Sequence, residues 1–412
     1  MSHPVLDLVR HALQKRHPRS SRGRSTINFP KQRNSIWEEI PGNVLTKILV
    51  HCTLTDIYSL MLSCRVLYRR IHQEEYAISR EYLHHRKRRY PQTSDCSPGD
   101  DLTFISELFP PQPPQYTASR SHDGFPQYSF GYLTDLTRCW VTCLRLSYYL
   151  ADYAVQHHLQ HDSDAQSLWS SFKIEKEVIH SRGVGVLQSR LLYPLAYLAF
   201  FLETYADARD AARETGKPHH LLHLLEEQLS ILQRPPFTTT EVLLSTHHCM
   251  HLLCSSVRHM MNPEFTPSST GSWLSILLTS STLERILDFF IAAADDQSAE
   301  AKHAHARNIQ SHTHTRTHHT HANNVSSTWT KRRQFLLRMR KDWDEYLASV
   351  DSDQTDADEQ EPVAPPGLRQ VWFEAAEKEM YRRGVITHRC EDPVYVLHGS
   401  CIRLHCEFCD DQ

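Results

Sequence analysis

The cysteines and histidines best spaced to bind a metal lie near the C-terminal end of the chain. Cys406 and Cys409 are separated by two residues, so their thiolates can occupy adjacent corners of a tetrahedral zinc site. The other two ligands would have to come from Cys390 and Cys401, or from a histidine such as His388. Structural zinc sites usually contain two such closely spaced pairs, and this segment contains one. We therefore predict no metal site, although zinc binding by these four cysteines stays open.

A histidine-rich tract is a second place where metal chemistry could occur. The chain has 29 histidines, and several alternate with other residues along 303–321. Imidazoles spaced in this way can bind a transition metal, but the tract has too few apolar residues to hold a coordination geometry. We therefore interpret residues 295–328 as a disordered insertion and predict no cofactor.

No sequence pattern indicates catalysis. The chain lacks Gly-x-Ser-x-Gly, a P-loop, a dinucleotide-binding glycine pattern and His-Glu-x-x-His. Gly183 and Gly185 have no third glycine and precede a leucine-rich run, so we interpret them as a turn. None of the 11 cysteines lies in a recognisable nucleophile motif. We predict that the chain is not an enzyme.

Composition limits the class of protein. The 412 residues carry a net charge of −3, which gives no reason to expect nucleic acid or an anionic membrane as partner. Only 12 glycines are present, which favours helices over turn-rich β architecture. The apolar run 184–202 is interrupted by Gln188, Arg190 and Pro194, so we predict a buried helix and no membrane span.

The cysteines and the N-terminal arm bear on location. Eleven scattered cysteines in apolar runs are typical of reduced thiols, which places the chain in the cytoplasm, the nucleus or both. Residues 1–34 form a basic arm that we expect to be disordered. Leu6, Val9 and Leu13 could line one face of a basic helix, so mitochondrial targeting by residues 1–33 stays open.

Helical periodicity dominates the middle of the chain. We predict an all-α domain over 132–294, as expected for apolar residues that recur at helical spacing. Its predicted helices cover 133–160, 168–179, 186–213, 221–232, 240–261 and 273–293. A Pro/Ser-rich linker over 91–131 precedes it. Within the linker, the Pro-Pro-x-Tyr sequence from Pro113 to Tyr116 resembles ligands of WW domains, and a plain spacer is the alternative.

The remaining segments complete a mainly α fold. We predict a helix over 329–349, an acidic linker over 350–366, and a C-terminal helix with a cysteine-containing tail over 367–412. Short strand-like pieces at 385–388 and 394–397 make that tail α+β.

The N-terminal unit, residues 35–90, carries the most informative pattern. Val44, Leu45, Ile48, Leu49 and Cys52 recur at helical spacing. We predict that a second helix follows, capped by Thr55 and Asp56 and carrying Ile57, Leu60, Met61 and Cys64, and that a third spans Leu67 to Tyr82. Three helices of this length cannot form a large core, so the unit needs a partner surface.

This stretch resembles an F-box, the motif by which receptor subunits of SCF-type ubiquitin ligases dock on their adaptor. The family's ordered positions correspond here to Ile40, Pro41, Val44, Leu45, Ile48, Leu49, Asp56, Leu60, Cys64 and Arg65. The resemblance implies that these residues bind a Skp-type adaptor, which links to a cullin and a RING subunit. It also implies that the rest of the chain presents a protein substrate, whose identity stays unknown, for ubiquitination and proteasomal degradation.

The match is not complete, and other interpretations stay open. Ile40 replaces the usual leading Leu, Asn43 stands where an acid is common, and no Trp closes the motif. One alternative is a nucleic-acid-binding or chromatin-binding helical protein, with Arg86 to Arg89 contacting phosphates. Residues 41–64 carry few basic side chains that could contact phosphate, so nucleic-acid binding is the weaker alternative. A third interpretation is an F-box protein that acts outside a ligase.

Overall fold

The chain forms a mainly α structure, as predicted. In a computed structural model, the described residues divide into two compact units between Trp140 and Val141. The described residues are 36–89, 102–111, 128–161, 172–214, 221–261, 278, 283–310, 331, 334, 335, 337, 338, 341, 369–385, 394–397 and 400–403.

The N-terminal unit contains more helices than predicted and extends further along the chain. The predicted third helix is two helices, because the backbone of Glu74 leaves the helical region at φ −98° and ψ 9°. The unit also includes a helix inside the predicted linker and the first turns of a long helix that begins at Phe130. Its elements are α1 (Ile36–Glu39), α2 (Gly42–Leu49), α3 (Leu54–Ser63), α4 (Arg65–Gln73), α5 (Glu75–Arg89), α6 (Leu102–Leu108) and the start of α7 (Phe130–His161).

Each helix from α2 to α7 contributes fully buried apolar side chains to this unit, as the predicted periodicity requires. Polar contacts fix α7 onto it: Phe130 N donates to Glu75 Oε1 at 2.8 Å, and the hydroxyls of Tyr58 and Thr134 lie 3.0 Å apart. The unit therefore has a core of its own beyond the predicted boundary at residue 90. That core contains Leu45, Leu49, Ile57, Met61, Leu67, Ile71, Ile78, Tyr82, Leu102, Ile105, Phe130, Leu133 and Leu136.

The second unit is built on long helices. The two helices predicted over 168–179 and 186–213 form one helix that passes through Pro194. The predicted turn at Gly183 lies within this helix, where a Cβ on Gly183 would come 3.0 Å from Val155 Cγ1. A glycine here lets two helices approach closely rather than reverse the chain. The helices are the rest of α7, α8 (Lys173–Glu214), α9 (Leu221–Leu232), α10 (Thr240–Met261) and α11 (Leu283–Gln310).

One stretch of α8, Ile174–Ala208, is long and apolar enough to cross a membrane when judged by length and composition alone. Its most apolar window has a mean hydropathy of 1.3, and 56% of that window is buried within the protein. Core helices of this kind satisfy the same criterion. The burial agrees with the predicted buried helix over 184–202.

The C-terminal segment, which we define as residues 369–385, completes the core of the second unit. It consists of a π-helical turn, Arg369–Phe373, followed by α12 (Glu374–Arg382). Trp372 is fully buried, with its ring centroid 4.7 Å from that of Phe201 and 5.9 Å from that of Phe237. Gln228 donates from Nε2 to the backbone carbonyls of Gln370 and Val371 at 2.7 and 3.2 Å. These bonds satisfy carbonyl groups in the π-helical turn, where the regular helical ladder is altered.

A buried carboxylate anchors the end of α12. Glu379 accepts hydrogen bonds from Arg382 and from Arg383, at 2.6 and 2.7 Å on its Oε1. Arg383 also donates to the backbone carbonyls of Leu232 and Thr238, at 3.1 and 3.2 Å. The guanidinium thus caps the C-terminal end of α9 with the positive charge that this end favours.

We expect Glu379 to make the second unit sensitive to acid. The hydrogen bond from Arg382, with a further one from Arg383, lowers the pKa of Glu379 to about 2 from its usual 4.5. A lowered folded-state pKa stabilises the protein above pH 4.5, and that stabilisation is lost as the pH falls from 4.5 towards 2. Glu379→Gln should therefore lower the free energy of unfolding at pH 7 by on the order of 2 kcal/mol, allowing for solvent screening at the exposed Arg382.

The measurement is urea unfolding of both proteins at a series of pH values. The difference in unfolding free energy between wild type and Glu379→Gln should shrink as the pH falls through this window. A difference that stays constant from pH 7 to pH 3 would show that the carboxylate charge is not what stabilises this end of α12.

The remaining described segments agree in part with the predictions. Helix α11 continues to Gln310, into the segment 295–328 that was predicted to be disordered, since Ala293 and Asp296 are buried and the following residues are rich in alanine. The described residues between 331 and 341 are helical, and Lys331 pairs with Asp295 at 2.7 Å. Strands β1 (Val394–Leu397) and β2 (Ser400–Arg403) form an antiparallel hairpin, the first at its predicted position.

Some predictions fall outside the described residues. These are the basic arm 1–34, the sequence from Pro113 to Tyr116, the acidic linker 350–366 and the strand-like residues 386–388. Of the four cysteines considered for zinc, only Cys401 is described, within β2.

Candidate partner-docking surface

The structure separates the predicted adaptor-binding residues into a surface set and a core set. Leu45 and Leu49 are buried, with 2% and 1% of their surface exposed. Ile40 and Leu60 are half-buried. The exposed residues are Pro41, Val44, Ile48, Asp56, Cys64 and Arg65.

Three of the exposed residues form a continuous apolar line along α2. Pro41, Val44 and Ile48 are three and four residues apart, a spacing that places side chains on one face of a helix. Val44 is 43% exposed and Ile48 is 47% exposed, which is high for large aliphatic side chains. We call Pro41, Val44 and Ile48 the α2 stripe. The helix therefore buries one apolar face and presents a second one to solvent.

A hydrogen bond from α4 and backbone bonds within α2 hold the start of the stripe in place. Arg70 Nη2 donates to the backbone carbonyl of Ile40 at 2.5 Å. Pro41 is the N-cap of α2, and its carbonyl accepts from the backbone N–H groups of Val44 and Leu45 at 3.0 Å. These bonds set the direction in which α2 leaves the preceding turn.

Gly42 has a specific reason to be a glycine. A Cβ at this position would lie 2.5 Å from Glu74 Oε1, so any other residue would displace that carboxylate. A carboxylate close to the first turn of a helix interacts favourably with its exposed N–H groups. Glu74 thus reaches the N-terminus of α2 because Gly42 leaves room for it.

The start of α3 differs by two residues from the predicted cap. Thr53, rather than Thr55, is the N-cap: its hydroxyl accepts from Asp56 N at 3.1 Å, and Asp56 Oδ2 accepts from Thr53 N at 3.0 Å. This reciprocal arrangement is a capping box. Hydrogen bonds from the Thr53 side chain and backbone lower the pKa of Asp56. The carboxylate of Asp56 therefore holds the start of α3.

Cys64 also has a local structural role. It is the N-cap of α4, and its Sγ accepts from the backbone N–H of Leu67 at 3.5 Å. The thiol is free and exposed, and Arg65 beside it is exposed as well. These two residues present polar groups at the junction between α3 and α4.

The structure also exposes apolar side chains at positions outside those that correspond to the F-box resemblance. Leu62 on α3 is 62% exposed and Trp37 on α1 is 38% exposed. The sequence did indicate that Leu62 is exposed, because this residue lies off the face of α3 that carries Ile57 and Met61, both of which are buried. A large apolar residue off the buried face of an amphipathic helix must lie at the surface.

The placement of Leu45 and Leu49 corrects one part of the prediction. Both side chains fill the core between α2 and its neighbours, so they cannot offer contact area to a partner while the unit is folded. Their contribution is to hold α2 with the α2 stripe outward. Changing either residue would test folding of the unit rather than docking.

The chemistry available at this surface is that of binding. The α2 stripe has no titratable group, and the described part of the chain contains no group of three or more His, Cys, Asp or Glu residues that could hold a metal ion. Comparison of the chain with protein-family models, with curated proteins and with solved structures gives no match. The interpretation of the surface therefore depends on its own residues and geometry.

Proposed function

We propose that this chain is a substrate-recognition subunit of an SCF-type ubiquitin ligase that docks on a Skp-type adaptor through the α2 stripe. One observation carries the proposal. Pro41, Val44 and Ile48 are exposed at positions where the F-box resemblance expects adaptor contacts, although large aliphatic side chains usually lie inside a protein.

Burial of the stripe would supply binding energy. Fully burying a valine or isoleucine side chain contributes about 1.5–3 kcal/mol, and nearly half of each side chain is still exposed here. Val44 and Ile48 would then contribute roughly 1 kcal/mol each, in addition to the contacts made by Pro41. The half-buried Leu60 and the exposed Arg65 would border the same interface.

The proposed mechanism is proximity and needs no catalytic residue in this chain. The N-terminal unit would bind the adaptor, and the second unit would hold a protein substrate. Joining the two raises the effective concentration of the substrate lysine near the ubiquitin carried by the ligase.

Affinity purification of the full-length chain from cells tests this function. We expect co-purification of a Skp-type adaptor together with a cullin and a RING subunit. Recovery of the adaptor without the cullin would contradict a ligase function and favour an F-box protein that acts outside a ligase. Absence of the adaptor would contradict docking altogether.

A further inference from the structure

A pair of buried histidines on α10, outside the docking surface described above, contacts the C-terminal segment. His247 and His251 are one helical turn apart and both are buried. Their Nε2 atoms lie 3.1 Å apart, and Trp372 Nε1 lies 3.3 Å from His247 Nδ1. The ring of Phe373 lies against both imidazoles, with centroids 5.7 and 4.6 Å away.

The hydrogen-bond chemistry fixes the protonation of this cluster. An indole N–H can only donate, so His247 Nδ1 must be an unprotonated acceptor. In the neutral ring the proton then lies on His247 Nε2, which donates to the unprotonated Nε2 of His251. A further proton on His247 Nδ1 would face the Trp372 N–H. This protonation replaces the hydrogen bond with two opposed donors.

We propose that His247, held beside His251, forms an acid-sensitive latch, in which protonation of His247 removes the acceptor for Trp372 and loosens the C-terminal segment from α8, α9 and α10. This bond is one of the contacts that attach the segment, beside those made by Gln228 and Arg383.

The groups around the pair oppose a positive charge at this place. Burial, followed by the neighbouring His251 and His248, sets the pKa of His247 well below its usual 6.5. From α8, the side chain packed on Trp372 is the uncharged Phe201. The C-terminal segment faces the pair with Trp372 and Phe373. Its carboxylates are paired within the segment: Glu374 with Lys378, Glu377 with Arg369, and Glu379 with Arg382 and Arg383.

The direction of the pH effect follows from linkage. A histidine whose pKa is lowered in the docked state binds its proton only after release, so docking is strongest above pH 6.5 and weakens as the pH falls. One such proton weakens docking about tenfold between pH 7.5 and pH 5.5.

Hydrogen exchange of the full-length chain at pH 7.5 and pH 5.5 tests the latch. After correction for the intrinsic rate, we expect protection of residues 369–385 to fall about tenfold in the wild type while α2 keeps its protection. His247→Gln combined with His251→Gln retains an acceptor for the indole but cannot gain a charge, so the fall should disappear. His259→Gln, a control at an exposed position on the same helix, should leave the fall unchanged.

Three results would overturn the proposal. These are constant protection of residues 369–385 in the wild type, an undiminished fall in the double variant, or a fall that His259→Gln abolishes. Should the double variant not fold, the wild type alone decides, because a loss of protection spread equally over α2 and residues 369–385 would show general acid unfolding instead of a latch.

Discussion

Val44→Asp combined with Ile48→Asp is expected to weaken binding of the full-length chain to a Skp-type adaptor at least about a hundredfold, with no loss of folding. Both side chains are nearly half exposed, so an aspartate at either position remains hydrated in the free chain. In the proposed complex the same carboxylates would be buried against an apolar surface without partners, which costs far more than the lost apolar contact.

A matched control is available in the second unit. Ile174 and Val178 are also aliphatic, four residues apart on one helix, and 76% and 52% exposed. Ile174→Asp with Val178→Asp should leave adaptor binding unchanged. Titration of the adaptor into each protein, with thermal unfolding measured in parallel, separates docking from stability. Equal binding by the wild type and the Val44/Ile48 variant would remove the α2 stripe from the interface.

Trp372→Ala is expected to lower the free energy of unfolding of the second unit substantially. Trp372→Ala removes a fully buried indole that packs on Phe201 and Phe237 and donates to His247. A cavity of this size in a core costs about 3–5 kcal/mol, and here the substitution also leaves an imidazole without its donor.

The control for this prediction lies on the same segment. Tyr381 is 66% exposed, so Tyr381→Ala should change the free energy of unfolding by less than about 0.5 kcal/mol. Urea unfolding followed by circular dichroism gives both values. A cost below about 1 kcal/mol for Trp372→Ala would show that the C-terminal segment is peripheral to the fold.

The sequence predicted the bounds of those helices whose ends carry prolines or capping residues. Helices α9 and α10 lie at the predicted bounds, because Pro235 and Pro236 end one apolar run and a threonine series begins the next. The predicted break before residue 186 was wrong, because Gly183 permits close packing inside α8 rather than a turn. Whether a glycine bends a chain or admits a neighbour depends on contacts that are distant in sequence.

The same limit applies to the docking surface. Val44 and Leu45 are adjacent and similarly apolar, so periodicity alone could not assign one to solvent and the other to the core. Packing against the neighbouring helices decides this, since it encloses Leu45 and Leu49 but not Val44 and Ile48. The attachment of Trp372 beside His247 could not be predicted either, because the two positions are 125 residues apart along the chain.

Calorimetric titration of the wild-type full-length chain with a purified Skp-type adaptor tests the central claim most directly. Docking through the α2 stripe predicts saturable binding with one adaptor per chain and a dissociation constant of about 1 µM or tighter. It also predicts a negative heat-capacity change, because apolar surface is buried. Absence of binding at concentrations far above this value, with the chain shown to be folded, would contradict the assignment of this protein as an adaptor-docked receptor.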